Sequence, residues 1–509
     1  YVVFFIFYFF KSISPLTMKK SGTQRLQGTD GIRRETKLAS DFECKGLTPQ
    51  QVFLEKGWIT EQFMELYAYV HIKNLPGPKK AKNIVVGWDP RDPSGIFIEA
   101  AIKGIRKAGG NALTLGIVPT PLVPLFMLHQ DAECGIMITA SHNPNDQNGI
   151  KLFSPFRGMK PLPSDDSRLT HFISQQKYSA IKSLLLKGKR KDYRKNALEL
   201  FSEFTLAPEN SWIDESINFE NVVLVVDPAN GSLTGIAREI FTQAGVGKVF
   251  EVNGKLNGDV NVFSGVADLE GRDRIAAEQI KNPGGYFYRH QAVVKLFEVG
   301  RKHKPFLRKG IMRAVAAIFD ADADRFFMLE YDPFKDLLWV LSGDETAILQ
   351  AKHLSTQFPE KYKESLYINT VESDLNAAIA AEKMGLKSEL TAVGDKWILL
   401  EILLKHLEKK AKGSDCPKQK RLVFQREAKK LKKVGITSIA SLKKLAKILG
   451  EKKRPKEDAN SVLAVGSEET GHNITESKFT RPDGEAVSIY SGNGIKSALN
   501  TLVATEHLN

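Results

Sequence analysis

Short apolar runs that end in polar residues recur along this 509-residue chain, and they constrain its fold most strongly. They lie at 83–92, 133–143, 221–231, 314–324 and 461–471. Runs of this kind predict strands that are buried on both faces of a largely parallel sheet. Ligands bind at the carboxyl ends of such strands, so the five polar endings are candidate sites.

Length and composition shifts predict several domains. A chain of this length suits about three domains, and its 42% hydrophobic content is enough to form their cores. A Lys-rich polar stretch at 178–200 and a break around 332–344 separate units in which strand, loop and helix recur. We therefore predict an α/β protein with domains at 18–200, 201–335 and 336–509.

The amino-terminal seventeen residues fit none of these units. The apolar run YVVFFIFYFF is too short to span a bilayer and lacks the flanking pattern of a secretion signal. We interpret 1–17 as an extension outside the fold, with a membrane-surface anchor as the alternative. Cys44, Cys134 and Cys416 have no CxxC spacing, which argues against a disulfide framework or a zinc site and favours a cytoplasmic protein.

The net charge of +14 is concentrated in one segment. Between Lys405 and Lys456 the chain has nineteen Lys and Arg residues against four acidic ones, and the remainder is nearly neutral. We interpret 405–457 as a basic insertion that forms a solvated pair of charged helices. Binding of nucleic acid or another polyanion is the alternative. It is disfavoured because Phe424 is the one Phe, Tyr or Trp in the segment.

Three aspartates follow the fourth apolar run at alternate positions. Asp320, Asp322 and Asp324 would point to one side of an extended chain, where they repel one another unless a cation lies between them. An all-oxygen set suits Mg²⁺, and the adjacent Arg325 could hold an anionic oxygen. An EF-hand is excluded because Arg325 and Tyr331 occupy its sixth and twelfth positions. The pattern favours phosphoryl transfer over the alternative of a solvated acidic turn.

The stretch MITASHNPNDQNGIK at 137–151 offers a nucleophile. Ser141 follows a predicted strand, and His142 and Lys151 are available for proton transfer or charge stabilisation. The GxSxG elbow of serine hydrolases is absent. Taken alone, the stretch is typical of an ordinary loop.

Several motifs together resemble one enzyme family. TASHNPNDQNGIK (139–151), DADADR (320–325) and SEETGH (467–472) resemble the phosphoserine, metal and sugar-binding loops of the α-D-phosphohexomutases, the phosphoglucomutase and phosphomannomutase enzymes. Supporting pieces follow in the family's order: GTDGIR (28–33), VGWDPRDPSG (86–95), GIVPTP (116–121), VVDPANGS (225–232), SGDE (342–345) and TAVGDK (391–396). The resemblance implies three related α/β domains with the active site in the cleft between them.

The resemblance also implies an activity and a role for each matching residue. Hexose 1-phosphate and hexose 6-phosphate, of glucose or mannose, would interconvert through a phosphoserine and a hexose 1,6-bisphosphate, with Mg²⁺ as cofactor. The implied residues are Ser141, His142, Lys151 and Arg33 for catalysis; Ser141, Asp320, Asp322 and Asp324 for the metal; and Arg325, Glu468, Thr470 and Lys396 for the substrate.

Three departures from the family pattern create further expectations. No counterpart of the family's fourth, phosphate-gripping domain precedes Asn509, so we expect that domain to be missing. Ala321 replaces the usual glycine of the metal loop and is expected to be strained if its φ is positive, and Ser467 replaces a glycine of the sugar loop. The alternatives are therefore an impaired or non-catalytic paralogue that binds phosphosugars, or a polyanion-binding protein.

Overall fold

The structure is a computed structural model. Its described residues form three sheets of three or more strands and one separate hairpin, with helices packed around them. It describes residues 25–76, 82–413, 416–431, 437–449 and 461–506. The interpretation of residues 1–17 lies outside this part of the chain. Among the described residues, no helix combines the length and the hydropathy needed to cross a membrane.

The first sheet has seven strands among the described residues, in the order β2-β1-β6-β5-β3-β4-β7. The strands are β1 (Ile32–Thr36), β2 (Trp58–Ile59), β3 (Asn83–Trp88), β4 (Asn111–Ile117), β5 (Cys134–Ile138), β6 (Gln147–Phe153) and β7 (Arg190–Asp192). The helices are α1 (Pro49–Gln51), α2 (Glu61–Lys73), α3 (Ile96–Lys107), α4 (Leu122–His129), α5 (Pro163–Gln175), α6 (Tyr178–Lys182), α7 (Arg194–Leu206) and α8 (Pro208–Ser211). Strand β6 is antiparallel to both β1 and β5, whereas the other pairs are parallel.

Helix α3 shows how the sequence pattern produces these elements. Ile98, Ile102 and Ile105 recur at helical spacing and are buried, whereas Lys103 on the opposite face is exposed. The helix ends before Gly109, whose φ of 90° is accessible to glycine and strained for other residues. The apolar spacing and the glycine together produce an amphipathic helix with a defined end.

The second sheet has the order β10-β13-β12-β11-β8-β9. Its strands are β8 (Val222–Asp227), β9 (Lys248–Glu251), β10 (Arg274–Ala276), β11 (Arg313–Phe319), β12 (Phe326–Asp332) and β13 (Leu337–Leu341), and its helices are α9 (Ile236–Gln243), α10 (Tyr286–Arg289), α11 (Gln291–Lys302) and α12 (Lys304–Arg308). Because β13 pairs antiparallel with β12, the boundary predicted at residue 335 falls inside a hairpin. We propose that the boundary lies after β13 instead.

The third sheet is parallel, with the order β15-β14-β16, and a separate hairpin joins β17 to β18. The strands are β14 (Leu366–Thr370), β15 (Lys387–Thr391), β16 (Leu463–Ser467), β17 (Glu476–Thr480) and β18 (Ala486–Tyr490). The helices are α13 (Gly343–Gln357), α14 (Pro359–Tyr362), α15 (Leu375–Lys383), α16 (Asp395–Lys412), α17 (Lys418–Leu431), α18 (Ile439–Ile448) and α19 (Gly494–Glu506). The predicted α/β class with mixed, mostly parallel sheets is confirmed.

Helices α17 and α18 form the described part of the basic insertion. Phe424, Leu442 and Leu445 are buried in one apolar cluster with the inner face of α16 and with Leu162 of the first domain. The backbone N–H of Ile439 donates to Asp165 Oδ2 at 2.8 Å. The helix pair therefore packs on the third domain and also contacts the first.

A shared apolar core holds the three domains together. Phe126 of α4, Phe201 of α7, Phe319 of β11 and Leu499 of α19 belong to one buried cluster. Helix α19, at the C-terminal end of the described chain, packs on β12 of the second sheet and on α13. Burial of this apolar surface fixes the strand ends of different sheets relative to one another.

Candidate functional site

The polar strand endings of all three sheets converge on one cleft. A cavity of about 230 Å³ lies between the loops of the three domains. Seven of the predicted site residues line it: Arg33, Ser141, His142, Asp324, Arg325, Glu468 and Thr470. Asp320 and Lys151 lie directly behind this wall, bonded to Ser141 and Asp324 respectively, and Lys151 also bonds Asp322.

The serine loop follows β5 and directs Ser141 at the metal loop. Ser141 is buried and has a φ of 56°, and its hydroxyl donates to Asp320 Oδ2 at 2.6 Å. Its backbone N–H donates to Thr139 Oγ1 at 2.8 Å. A left-handed conformation at a residue other than glycine persists only where its surroundings enforce it, and such residues cluster at functional sites.

The metal loop follows β11 and brings three buried carboxylates together. Oxygens of Asp320, Asp322 and Asp324 lie within 4.8 Å of one another. Burial, followed by the charges of Asp322 and Asp324, raises the pKa of Asp320 well above its ordinary value. The Oδ1 atoms of Asp322 and Asp324 are buried and accept no hydrogen bond from the described residues. These all-oxygen donors fit a hard divalent cation such as Mg²⁺.

Lys151 of β6 lies against the same carboxylates. Its Nζ atom is 2.6 Å from Asp322 Oδ2, 2.6 Å from Asp324 Oδ2 and 3.4 Å from Asp30 Oδ2. Burial alone would lower the pKa of Lys151, but these carboxylates raise it above its ordinary value. The ammonium group is therefore held as a fixed positive charge behind the cleft.

Two arginines and a histidine complete the wall on the serine side. Arg33 is 3.5 Å from Asp30, and Arg325 is 3.6 Å from Glu270. Arg325 Nε and Nη1 donate no hydrogen bond to the described residues, so they retain capacity for an anionic ligand. Burial, followed by the charges of Arg325 and Arg33, lowers the pKa of His142 to about 2, so its imidazole is neutral.

The sugar loop follows β16 on the opposite side of the cleft. Glu468 Oε1 accepts the backbone N–H of Gly394 at 2.7 Å, and Glu468 and Thr470 both line the cavity. The start of α13 packs directly on this loop, because a Cβ on Gly343 would lie 2.0 Å from the carbonyl oxygen of Glu468. The glycine of the SGDE motif thus permits a close approach of two backbones.

Lys396 is not brought to the cavity. It lies in the first turn of α16, is buried, and pairs with Asp166 at 3.5 Å. The adjacent residue, Asp395, faces the cleft instead. The substrate-binding role predicted for Lys396 therefore finds no support in its position.

Four charged residues that the sequence motifs did not single out complete the network. Lys160 Nζ lies 2.8 Å from Asp30 and 2.7 Å from Asp395, and His472 lies 3.4 Å from Asp395. Asp30, Asp395 and His472 stand inside the GTDGIR, TAVGDK and SEETGH motifs, which could have indicated them. Lys160 stands in no motif, and the sequence contained no signal for it.

The two glycine replacements are accommodated in different ways. In the metal loop the positive φ belongs to Ala323, at 61°, and not to Ala321, so the strain expected at Ala321 is absent. Ser467 lies at the end of β16, where its hydroxyl donates to the carbonyl oxygen of Gly343 at 3.3 Å and to Asp344 at 3.2 Å. Neither replacement disrupts its loop.

Comparison with known proteins agrees with this geometry. A family model described as phosphoglucomutase/phosphomannomutase, alpha/beta/alpha domain I, matches residues 24–179, and the domain III model matches residues 342–408. A phosphoglucosamine mutase of Lactiplantibacillus plantarum is 27% identical over 382 residues, which are 74% of this chain and 70% of that protein. One from Caldanaerobacter subterraneus is 27% identical over 379 residues, with the same coverage of 74% and 70%.

Solved structures share the fold at low sequence identity. A phosphoglucomutase/phosphomannomutase family protein of Burkholderia thailandensis superposes with a TM-score of 0.54 at 15% identity, covering 94% of this chain and 76% of that one. A putative phosphomannomutase of Thermus thermophilus gives a TM-score of 0.54 at 16% identity, covering 94% and 80%. The two matched domain models, one of which contains the serine loop, the phosphoglucosamine mutase relatives and the shared fold together support the phosphoglucomutase/phosphomannomutase, or α-D-phosphohexomutase, family for this chain.

Proposed function

We propose that this protein moves a phosphoryl group between O1 and O6 of a hexose phosphate through a phosphoserine at Ser141. One observation carries the proposal: the Ser141 hydroxyl lies 2.6 Å from Asp320, inside a cluster of three buried aspartates. Glu468 and Thr470 line the same cavity from the opposite domain. The reacting hydroxyl, the acceptors for a cation and the acceptors for a sugar therefore share one cleft.

The protein groups around Ser141 suit phosphoryl transfer. Asp320, Asp322 and Asp324, together with the Ser141 oxygen, would hold Mg²⁺, which when bound supplies charge that neutralises phosphoryl oxygens. Arg325 lines the cleft, and its Nε and Nη1 atoms donate no hydrogen bond to the described residues. Arg33 lines the same side. These fixed cations would orient the phosphoryl group, which is the larger part of catalysis in this kind of reaction.

We assign the proton transfer to His142 rather than to Lys151. His142 lines the cleft as a neutral imidazole, and its Nδ1 atom has no hydrogen-bond partner among the described residues. An anionic phosphoryl group beside Arg325 and Arg33 would offset the charges that lower the His142 pKa, so that the imidazole can accept the proton of an attacking sugar hydroxyl. Lys151 is within 2.6 Å of two carboxylates and serves as a fixed charge. This divides two roles that the sequence left shared between the two residues.

The sugar must present first one hydroxyl and then the other to the same serine. A hexose 1,6-bisphosphate that turns around in the cleft satisfies this requirement, and the same compound would phosphorylate Ser141 at the outset. Glu468 and Thr470 suit both orientations, because carboxylate and hydroxyl oxygens accept hydrogen bonds from several directions. The enclosed cleft would limit hydrolysis of the phosphoserine during the turn.

We propose glucosamine phosphate as the preferred hexose, ahead of the glucose and mannose phosphates suggested by the motifs. Glu372, Glu468 and Glu469 line the cavity. Burial, then the neighbouring Asp344 and Glu270, raise the pKa of Glu469, which reflects the density of carboxylates there. An ammonium group on the sugar would be stabilised by this charge. The two relatives described above are named phosphoglucosamine mutases, which agrees with this preference.

A direct assay tests the proposed function. The protein is incubated with Mg²⁺, a trace of hexose 1,6-bisphosphate and glucosamine 6-phosphate, and ³¹P NMR follows the appearance of the 1-phosphate. We expect turnover by the native chain, no turnover by Ser141→Ala, and a higher kcat/KM than with glucose or mannose phosphate. Binding of the sugar phosphate without any interconversion would support the non-catalytic alternative.

The polyanion-binding alternative has its own discriminating experiment. A gel shift at physiological salt compares the full chain with one from which residues 416–449 are deleted. We expect no shift with either chain, because the exposed lysines of α17 and α18 are interrupted by Glu427 and carry no aromatic platform. A shift that requires the segment would favour polyanion binding.

A further inference from the structure

One side chain of the second domain joins the two loops of the reaction centre. Asn261 lies in the loop between β9 and β10 and does not line the cavity. Its Nδ2 donates to the backbone carbonyl oxygens of Ser141, at 2.9 Å, and Asn143, at 3.1 Å. Its Oδ1 accepts the backbone N–H of Ala321 at 3.1 Å. A single planar amide thus bonds the serine loop on one side and the metal loop on the other.

The position of Asn261 is itself fixed by its surroundings. Its φ is 57°, and its backbone N–H donates to the carbonyl oxygen of Ala229, in the turn that follows β8. Gly265 lies beside it with a φ of 81°. A Cβ there would lie 2.9 Å from the Phe319 carbonyl oxygen and 3.3 Å from Asn261 Oδ1. The loop therefore holds the amide in one place against the end of β11.

The carbonyl oxygen of Ser141 also accepts a hydrogen bond from a residue of its own domain. Arg91 Nη2 donates to it at 2.6 Å, and Arg91 is itself paired with the buried Asp89 at 2.9 Å. Arg91 belongs to the first domain, as Ser141 does, so this contact shapes the serine loop within its own domain. Asn261 links the same carbonyl oxygen to the second domain and its metal loop.

We propose that Asn261 is a positioning residue, which sets the separation between Ser141 and Asp320 and so controls the rate of phosphoryl transfer without contacting the substrate. The inference rests on the proposed function. The Ser141 backbone is held at a positive φ, and a misplacement of about 1 Å at a reacting group can reduce a rate on the order of 10²-fold. A side chain that bonds both loops is well placed to prevent such a misplacement.

The test compares two substitutions at this position with one in the same loop. Asn261→Ala removes all three bonds, whereas Asn261→Asp keeps the acceptor for Ala321 but places oxygen against the two carbonyl oxygens. Asn257→Ala is the control, because the Asn257 amide donates to Asp259 at 2.7 Å within the loop. We expect kcat to fall about 10- to 100-fold in both Asn261 variants, with KM changed less than about threefold, and no change in the control.

Amide hydrogen exchange supplies a readout that does not depend on activity. We expect faster exchange at 139–147 and 319–325 in Asn261→Ala, with the rest of the chain and the thermal midpoint unchanged. Unchanged kcat and unchanged exchange would overturn the inference, as would faster exchange throughout the chain. If exchange becomes faster only in the two loops but the native chain shows no turnover, the proposed function is contradicted. The coupling of the two loops by Asn261 would still be supported.

Discussion

The buried lysine behind the cleft and the lysines of the helix pair α17–α18 use their charge in opposite ways. Behind the cleft the Lys151 side chain is 1% exposed and lies 2.6 Å from two carboxylates. On α17 the Lys430 side chain is 58% exposed, and apolar residues such as Phe424 hold the helix in place. Charge is therefore a buried structural component in the first region and a solvated surface in the second.

The net charge of the chain therefore does not locate its candidate site. The excess positive charge lies between Lys405 and Lys456, whereas the residues that line the cleft include six carboxylates and two arginines. A buried ion pair is costly to break, because removal of one partner leaves the other without compensation. An exposed lysine interacts mainly with water and contributes little to stability.

The largest loss of stability is expected when the buried ammonium group of Lys151 is removed. Lys151→Met leaves Asp322 and Asp324 close together without their cation, so we expect a loss of about 3–5 kcal/mol in the free energy of unfolding and a loss of turnover. Urea denaturation in buffer with EDTA measures the first quantity. Lys420→Met on α17 is the matched control and should change stability by less than about 0.5 kcal/mol. Equal effects of the two substitutions would contradict the comparison.

A smaller loss of stability is expected when a buried residue on the apolar face of the helix pair is truncated. Leu445 of α18 is 1% exposed, and Leu445→Ala should cost about 2–4 kcal/mol through the cavity that it leaves. The adjacent Lys444→Ala removes an exposed side chain and serves as the control. We expect kcat to stay within about twofold of the native value in both variants, since neither residue lines the cleft. A loss of turnover in Lys444→Ala would show that the charges of the helix pair act on the reaction.

A second buried lysine, Lys496, differs from Lys151 in the direction in which its pKa is shifted. Lys496 of α19 is 1% exposed, like Lys151, but its Nζ donates to the carbonyl oxygens of Thr475 and Glu476 and to the Ser477 hydroxyl. Burial lowers its pKa to about 7, because the charge of Glu476 offsets the loss of water only in part, whereas three carboxylates more than offset it for Lys151. Burial alone therefore does not determine the charge of a lysine.

The consequence is a rise in stability at alkaline pH. Between pH 7 and the unfolded pKa of 10.5, the unfolded chain binds the Lys496 proton and the folded chain does not, so stability attributable to Lys496 rises with pH. The slope is at most about 1.4 kcal/mol per pH unit, and it disappears below pH 7, where both states are protonated. Urea denaturation of the native chain and of Lys496→Met at pH 7, 8 and 9 measures the difference. A difference that does not change with pH would refute the account of Lys496.

The smallest changes in stability are expected when exposed lysines of α17 are substituted. Each of Lys418→Gln, Lys420→Gln and Lys429→Gln should change the free energy of unfolding by less than about 0.5 kcal/mol, because these side chains are exposed. Mutase turnover of the triple variant should equal that of the native chain at both low and high salt. A salt-dependent loss of turnover would assign a functional role to this surface.

Much of the fold was predictable because burial leaves a regular trace in the sequence. The apolar runs that precede Asp89, Ser141 and Asp320 are strands, and their polar endings meet at one edge. The boundary predicted at residue 335 lies in the turn between β12 and β13, which has the polar composition of a linker. The antiparallel pairing that carries the chain across it depends on contacts that a local pattern does not contain.

Residues of the candidate site could be predicted from the sequence where they belong to a motif. They could not be predicted where they bond residues that are distant in sequence. Lys396 pairs with Asp166 and Asp395 lines the cleft, because residue spacing does not show which way a side chain at the start of a helix points. Lys160 and Asn261 lie far in sequence from the residues that they bond. Likewise, only the backbone geometry shows that the left-handed position of the metal loop is Ala323.

The central claim is that Ser141 accepts and donates the phosphoryl group. Intact-mass measurement after incubation with glucose or glucosamine 1,6-bisphosphate and Mg²⁺ tests it most directly, with Ser141→Ala as the control and peptide mapping to locate the phosphate. We predict one phosphate on the native chain, located at Ser141, its loss on addition of excess hexose monophosphate, and none on Ser141→Ala. A folded native chain that gains no phosphate, or gains it equally in Ser141→Ala, would contradict the claim.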